Sequence, residues 1–184
     1  AEQKLVDTLV VRSMAKAIYT TDNIGHFGLG FDYYSHFTSP IRRYPDLIVH
    51  RLLTATLSTE KTINKNVLEK LCKHCSEREK FATHAERDSV KYMQVKFLQN
   101  KIGKKYYGVI CGVKEWGLYV EITDNGCEGL VKINSIKDDH YIYDEKKYAL
   151  IGYRKKIVYQ LGQKVKIRIK SADLKRKQLD FVLI

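Results

Sequence analysis

The chain has 184 residues, 44% of them hydrophobic, which is an ordinary share for a globular protein and enough for one large domain or two small ones. Its 33 Lys and Arg outnumber 21 Asp and Glu, a formal net charge of +12 that points to a polyanionic partner, nucleic acid ahead of membrane. No apolar run is long enough to span a bilayer, no signal-peptide pattern is read, and four cysteines are too few for a disulfide scaffold, so reduced thiols in a cytoplasmic protein are expected.

In chain order, Leu5, Leu9, Val10, Met14, Ala17 and Ile18 have the spacing of an amphipathic helix over residues 3–20. From Thr21 to Ser35, Asp22-Asn23 and the glycines Gly25, Gly28 and Gly30 mark a turn-rich loop. HFTSPIRRYPDLIVHR follows, holding the chain's two prolines, Pro40 and Pro45, with the pair Arg42-Arg43 and a third arginine, Arg51. Ser39-Pro40 reads as a helix start, with a capping hydroxyl and a proline where no N–H is needed. Pro45 conflicts with a continuous helix from Ser39, so the helix through Leu47, Ile48, Leu52 and Leu53 to about Leu57 begins either irregularly there or near Pro45. Arginine forks beside a helix N-terminus suit a phosphate, although Arg pairs are also common on solvated surface.

Apolar residues from Val67 to Phe97 predict one long helix, or two joined, over Asn64–Gln99. Cys72 and Cys75 supply half of a zinc-ligand pattern, but Cys111 and Cys127 are not a second close pair. His74 and His84 read as surface or half-buried residues without a catalytic partner. Beyond Lys105 the text turns to strands: Tyr106–Val113, Gly117–Ile122, Gly129–Lys132, Val165–Ala172 and Gln178–Leu183. Five short strands predict a small closed barrel of the oligonucleotide-binding (OB) type, with residues 134–160 as a long connection. The basic excess concentrates here: residues 101–184 hold 18 Lys and Arg against 10 Asp and Glu, compared with 15 against 11 in residues 1–100. Trp116 and Tyr119 are candidate stacking platforms for unpaired bases, with Lys114, Lys132, Lys164, Lys166 and Arg168 around them. Trp116, at a turn beside Gly117, is expected to be exposed, whereas Tyr119 could face either way.

Residues Gly103–Ile184 resemble the S1-type RNA-binding domain, through YYGVICGVKEWGLYVEITDNGCEGLVKINSI and LGQKVKIRIKSADLKRKQLDFVL. That resemblance implies an RNA face at Trp116, Tyr119, Lys132 and Asp173 with Arg176 or Lys177. Lys132 stands where the family often has histidine, and keeps phosphate binding but not imidazole stacking.

Residues 1 to about 101 resemble the C-terminal part of the catalytic domain of the RNB exoribonuclease family, over NIGHFGLGFDYYSHFTSPIRRYPDLIVHRLL and again over HCSERE and HAERD. The family degrades single-stranded RNA processively from the 3′ end to nucleoside 5′-monophosphates, using a divalent metal, normally magnesium. The resemblance implies that Arg42 is catalytic and contacts the phosphate at the scissile end. Thr38, Ser39, Arg43 and Tyr44 help shape that site, and Glu86 lies near the 3′-terminal nucleotide. A surface salt bridge with Arg87 or Lys80 is the plainer role for Glu86.

The family's metal ligands are clustered aspartates. In residues 1–101 Asp22, Asp32, Asp46 and Asp88 are isolated, and Asp138-Asp139 falls in a barrel loop where solvation is expected. The magnesium ligands are therefore expected outside this chain. The expectation is an α+β protein: residues 1–101 as the mostly helical end of an RNB catalytic domain, and 102–184 as an S1-type OB barrel. It would bind single-stranded RNA without cleaving it and would associate with no membrane. Apolar surface normally covered by missing residues would favour self-association. Ala1-Glu2-Gln3 opens in mid-helix without methionine, which argues against a native start. A stand-alone RNA-binding or RNA-chaperone protein is the alternative, and a zinc-stabilised module the third.

Overall fold

The structure is a computed structural model that describes residues 6, 10, 11, 13–38, 43–58 and 63–184. The chain divides into two compact units, one of residues 15–85 and one that joins residues before Ala15 with residues 86–184.

In the unit of residues 15–85 the elements are a 3-10 turn, Phe27–Leu29, a helix α1, Tyr44–Leu57, and the first part of α2, Lys65–Gln99. The helix expected over 3–20 does not extend that far: residues 15–20 are not helical. Their backbone donors go elsewhere. The Tyr19 N–H donates to Ser76 Oγ at 2.9 Å, and the Thr21 N–H and hydroxyl both donate to Glu69 Oε2, at 2.8 and 2.6 Å. Side chains of α2 thus satisfy groups that a helical ladder would otherwise use.

The loop of residues 21–35 is turn-rich as its glycines imply. His26 Nδ1 accepts from the Leu29 N–H at 3.2 Å, capping the 3-10 turn, and Gly30 closes it in the left-handed region at φ +67°. Of the two helix starts left open at the sequence level, α1 takes the later one, with Pro45 in its first turn where no N–H partner is lost. The other start, Ser39-Pro40, lies outside the described residues. The long pattern is one helix of 35 residues, about 52 Å at 1.5 Å per residue. Asn64 Oδ1 accepts from the Asn66 N–H at 2.8 Å at its N-terminus.

The unit that includes residues 86–184 is built on a closed barrel. Its strands are β1 (Lys105–Lys114), β2 (Gly117–Ile122), β3 (Glu128–Lys132), β7 (Lys164–Asp173) and β8 (Gln178–Leu183), in the order β1-β2-β3-β8-β7. This is the five-stranded OB topology, closed by parallel β3–β8 and antiparallel β1–β7 pairing. Period-two alternation sets the core: Ile110, Leu118, Val120, Ile122, Val131, Ile167, Ile169, Leu179 and Phe181 point inward. Val95 and Leu98, at the end of α2, join that core with no solvent exposure.

Residues 134–160 are more than a connection. They form a three-stranded sheet of β4 (Tyr141–Asp144), β5 (Ala149–Gly152) and β6 (Val158–Gln160). Its acids are also engaged rather than simply solvated. Asp139 accepts backbone N–H groups of His140, Arg154 and Lys155, and Asp138 accepts the Tyr141 hydroxyl at 3.0 Å.

Candidate nucleic-acid interface

Two constellations match the sequence-level candidates, one in each unit. In the unit of residues 15–85, α1 begins at Tyr44 with Arg43 as the capping residue. The Arg43 side chain folds forward: Nε donates to Asp46 Oδ2 at 2.7 Å and Nη2 to Thr38 Oγ1 at 2.8 Å. Thr38 Oγ1 donates to the same Asp46 oxygen at 3.2 Å, and His50 Nε2 lies 2.9 Å from the Thr38 carbonyl. His36 Nδ1 lies 3.5 Å from Arg43 Nη1 and 3.1 Å from the Tyr19 hydroxyl.

Asp46 is wholly covered, though only by a shallow layer. Burial pulls its carboxyl upward, but the hydrogen bonds from Arg43 and Thr38 and the Arg43 charge outweigh that, holding it below the usual carboxylate range. Burial, and then Glu79, push the Tyr19 hydroxyl up to about 12. Thr38 and Arg43, which flank residues 39–42, are thus tied to one buried anion. Tyr44 stands half exposed at the first helical position. Ser39 and Arg42 lie outside the described residues. Glu86 is exposed on α2 and belongs to the other unit.

On the barrel, β1 turns into β2 through Glu115 and Trp116, with Lys114 opposite Gly117. Gly117 sits at φ +149°, and a Cβ there would stand 2.1 Å from the Val131 carbonyl oxygen, so only glycine lets β3 pass this close. Trp116 is 48% exposed, and its Nε1–H donates to the Tyr119 hydroxyl at 3.2 Å. Leu118 and Val120 take the inward phase of β2, which turns the half-buried Tyr119 outward. Gly112 lies opposite Tyr119 on β1, with the Tyr119 ring lying over it.

Lys132 stands opposite Gly117, and its Nζ is 3.1 Å from Asp180 Oδ2. Asp180 also accepts from Ser171 Oγ and Gln178 Nε2. At the β7–β8 turn Asp173 Oδ1 accepts the Arg176 N–H at 3.0 Å, and Lys177, at φ +53°, reaches Asp88 on α2.

Two open grooves border this turn. One, of about 580 Å³, includes Tyr119, Lys91, Lys175, Arg176 and Lys177; the other, of about 420 Å³, includes Lys132, Asp173, Lys175 and Arg176. The barrel thus brings together the residues inferred by resemblance, with Trp116 linked to the first groove through Tyr119. Sequence reasoning missed Lys91 and Lys175. Lys175 lies in the same KRK run as Arg176 and Lys177, a signal that was available. Lys164, Lys166 and Arg168 are on β7, away from the Trp116 turn.

Among the described residues no group of three or more His, Cys, Asp or Glu is placed to hold a metal ion, and no helix is long and apolar enough to cross a membrane. Burial holds the Cys72 and Cys75 thiols above their ordinary range; burial, then Glu128 and Glu121, push Cys111 up to about 12.

Residues 1–59 match the RNB domain, and residues 99–183 match the S1 RNA binding domain. Ribonuclease R of Aquifex aeolicus is 43% identical over 186 residues, covering 100% of this chain and 26% of that protein. Ribonuclease R of Thermotoga maritima is 46% identical over 186 residues, covering 97% of this chain and 26% of that protein. Apo Mycoplasma genitalium RNase R superposes with a TM-score of 0.88 at 33% identity, over 96% of this chain and 28% of that one. The same enzyme in complex with ribose-methylated single-stranded RNA gives 0.87 at 33% identity, over 96% and 28%. Its complex with double-stranded RNA gives 0.71 at 26% identity, over 98% and 28%. The chain spans about a quarter of the length of the curated relatives it matches. With an RNB match, an S1 match and ribonuclease R homology along its whole length, the chain belongs to the ribonuclease R family of RNB proteins.

Proposed function

We propose that this chain is the RNA-gripping stretch of a processive, cytoplasmic 3′→5′ exoribonuclease that hydrolyses single-stranded RNA to nucleoside 5′-monophosphates. The observation that carries this is the pairing, in one chain, of an RNB match with an S1 barrel bearing a basic, aromatic-edged groove. Phosphodiester hydrolysis needs a centre that polarises phosphate and activates water, and cations that offset charge in the transition state. The described residues supply cations and stacking rings, whereas no acidic cluster suits magnesium. On this reading the magnesium ligands are the clustered aspartates that the family resemblance implies, outside this chain, and the chain alone binds RNA without cleaving it. In the whole enzyme Arg42 contacts the scissile-end phosphate. Thr38, Ser39, Arg43, Tyr44 and Glu86 shape the site of the terminal nucleotide. Exposed apolar side chains such as Phe27, Ile24 and Leu57 favour self-association of the isolated chain.

The test is a time course of 5′-labelled single-stranded RNA with this chain and magnesium on a denaturing gel, beside a binding titration of the same RNA. Bound but intact RNA is expected. Stepwise shortening from the 3′ end, abolished by chelation, would place the metal ligands within these 184 residues. In a longer chain that hydrolyses RNA, Arg42→Ala should lower turnover sharply; normal turnover would remove the role given to Arg42.

A further inference from the structure

Strand β7 alternates from Lys164 to Lys170, and its outward positions Lys164, Lys166, Arg168 and Lys170 are all cations and all exposed. Side chains two residues apart on one strand face lie about 6.6 Å apart, so Lys164, Lys166 and Arg168 keep a step that an extended single strand can match phosphate by phosphate, and Lys170 follows at the irregularity between Ile169 and Ser171. Among the described residues none of the four has an ion-pair partner. The side chains paired across from Lys164, Lys166 and Arg168 offer no carboxylate either. On β1 these are Val109, Tyr107 and Lys105, opposite Lys164, Lys166 and Arg168, and on β8 Val182 lies opposite Arg168. Lys105 and Arg168 are like charges in direct cross-strand register, an arrangement that disfavours folding unless an anion sits between them. Tyr107 is 65% exposed, and Lys166 Nζ lies 5.5 Å from its ring centroid, so a flat platform stands beside the row.

We propose that the outer face of β7 with β1 is a second RNA-backbone track, separate from the Trp116–Tyr119 face, that holds a further stretch of the same strand. This rests on the RNA-binding reading above. The occupant is single-stranded RNA: a row of one charge sign with an exposed aromatic at its side complements a flexible polyanion with unpaired bases.

The test is the salt dependence of binding to a fluorescent oligouridylate of about 20 nucleotides, long enough to span more than one contact surface. The variant is the quadruple Lys164→Gln, Lys166→Gln, Arg168→Gln, Lys170→Gln, with a thermal melt to confirm its fold. For single strands each neutralised phosphate contributes about 0.7 to the slope of log affinity against log salt, so the slope should fall by about 2.8. Between about 0.05 and 0.2 M salt, the spread in affinity should then narrow by about 50-fold. Tyr107→Leu should weaken binding with no change of slope. A folded quadruple variant with the wild-type slope overturns the track while leaving the RNA-binding reading intact. Wild-type protein that binds no RNA overturns both. Should the quadruple variant not fold, Lys166→Gln and Lys170→Gln decide alone: each lowers the slope by about 0.7, or the track is wrong.

Discussion

Removing the Trp116 ring tests the barrel face most directly. Trp116 is 48% exposed at a turn, and its one polar group is spent on the Tyr119 hydroxyl at 3.2 Å. The indole therefore presents a free face whose position is fixed before RNA arrives. Base–aromatic stacking contributes about 1–3 kcal/mol per base, and about 1.4 kcal/mol is tenfold in affinity, so Trp116→Ala should weaken single-stranded RNA binding about 5- to 140-fold. Trp116→Phe keeps a ring but loses the N–H, and should fall between wild type and alanine. Tyr119→Phe removes only the acceptor and should cost less than Trp116→Ala. Because no charge changes, the salt slope should stay at the wild-type value in all three, unlike the β7 variants. Fluorescence anisotropy with a labelled oligouridylate, repeated at several salt concentrations, reads both quantities. Trp116→Ala binding within twofold of wild type, in a folded protein, would refute the stacking argument.

Asp180→Asn should raise RNA affinity, since it removes a negative charge and releases the Lys132 ammonium it holds at 3.1 Å; lower affinity in a folded variant would place Asp180 on the RNA side of the balance. Gly129→Ala should destabilise the barrel by about 1–3 kcal/mol, because its Cβ would stand 2.5 Å from the buried Phe181 ring, and differential scanning calorimetry should show the lower melting temperature. Asp46, Glu69 and Asp139 all have lowered folded-state values, so their stabilisation is complete above the ordinary carboxylate range near pH 4 and is lost as pH falls through the folded values. Melts taken from pH 6 downward should show stability declining on the acid side, and Asp139→Asn should flatten that decline.

The barrel was legible because each strand alternates over a single core and is bounded by glycine or a charged turn. Leu118, Val120 and Ile122 fix the inward phase of β2, and that choice alone turns Tyr119 out. The sheet over residues 141–160 was missed for the opposite reason. Strands of three or four residues are too short for alternation to register, and Asp139, which organises the β5–β6 turn through the Arg154 and Lys155 backbone donors, reads in sequence as one more surface acid. Periodicity also overran the true structure at residues 15–20. Ala17 and Ile18 keep helical spacing, yet Ser76 and Glu69, more than forty residues away, take the backbone donors around them. Motif picks out the candidate residues of the barrel face, but not the partners that constrain them: nothing near Lys132 in sequence announces Asp180.

Those partners separate two kinds of cation on this protein. Arg43, Lys132, Arg176 and Lys177 each face a carboxylate, and a phosphate must displace or share that carboxylate before it gains the full charge. For Arg43 the displacement would strip a covered Asp46 of its charged hydrogen bond, which is costly, so Arg43 acts first as a clamp between Thr38 and α1. Its neighbour Arg42 is the better candidate to meet RNA directly. Lys132, with an exposed head and a partner only partly covered, is a contact that an incoming phosphate can exchange. The β7 row has no such exchange to make, and its cost lies in the free protein, where like charges crowd one strand. On the proposed reading, binding that relieves this repulsion would draw on the steep, salt-sensitive part of the affinity, whereas bases stacked on Trp116 and Tyr119 would supply the part that salt does not touch. In the exoribonuclease proposed above, a strand gripped both ways would stay attached while its end is shortened, since slippage at one surface leaves the other engaged.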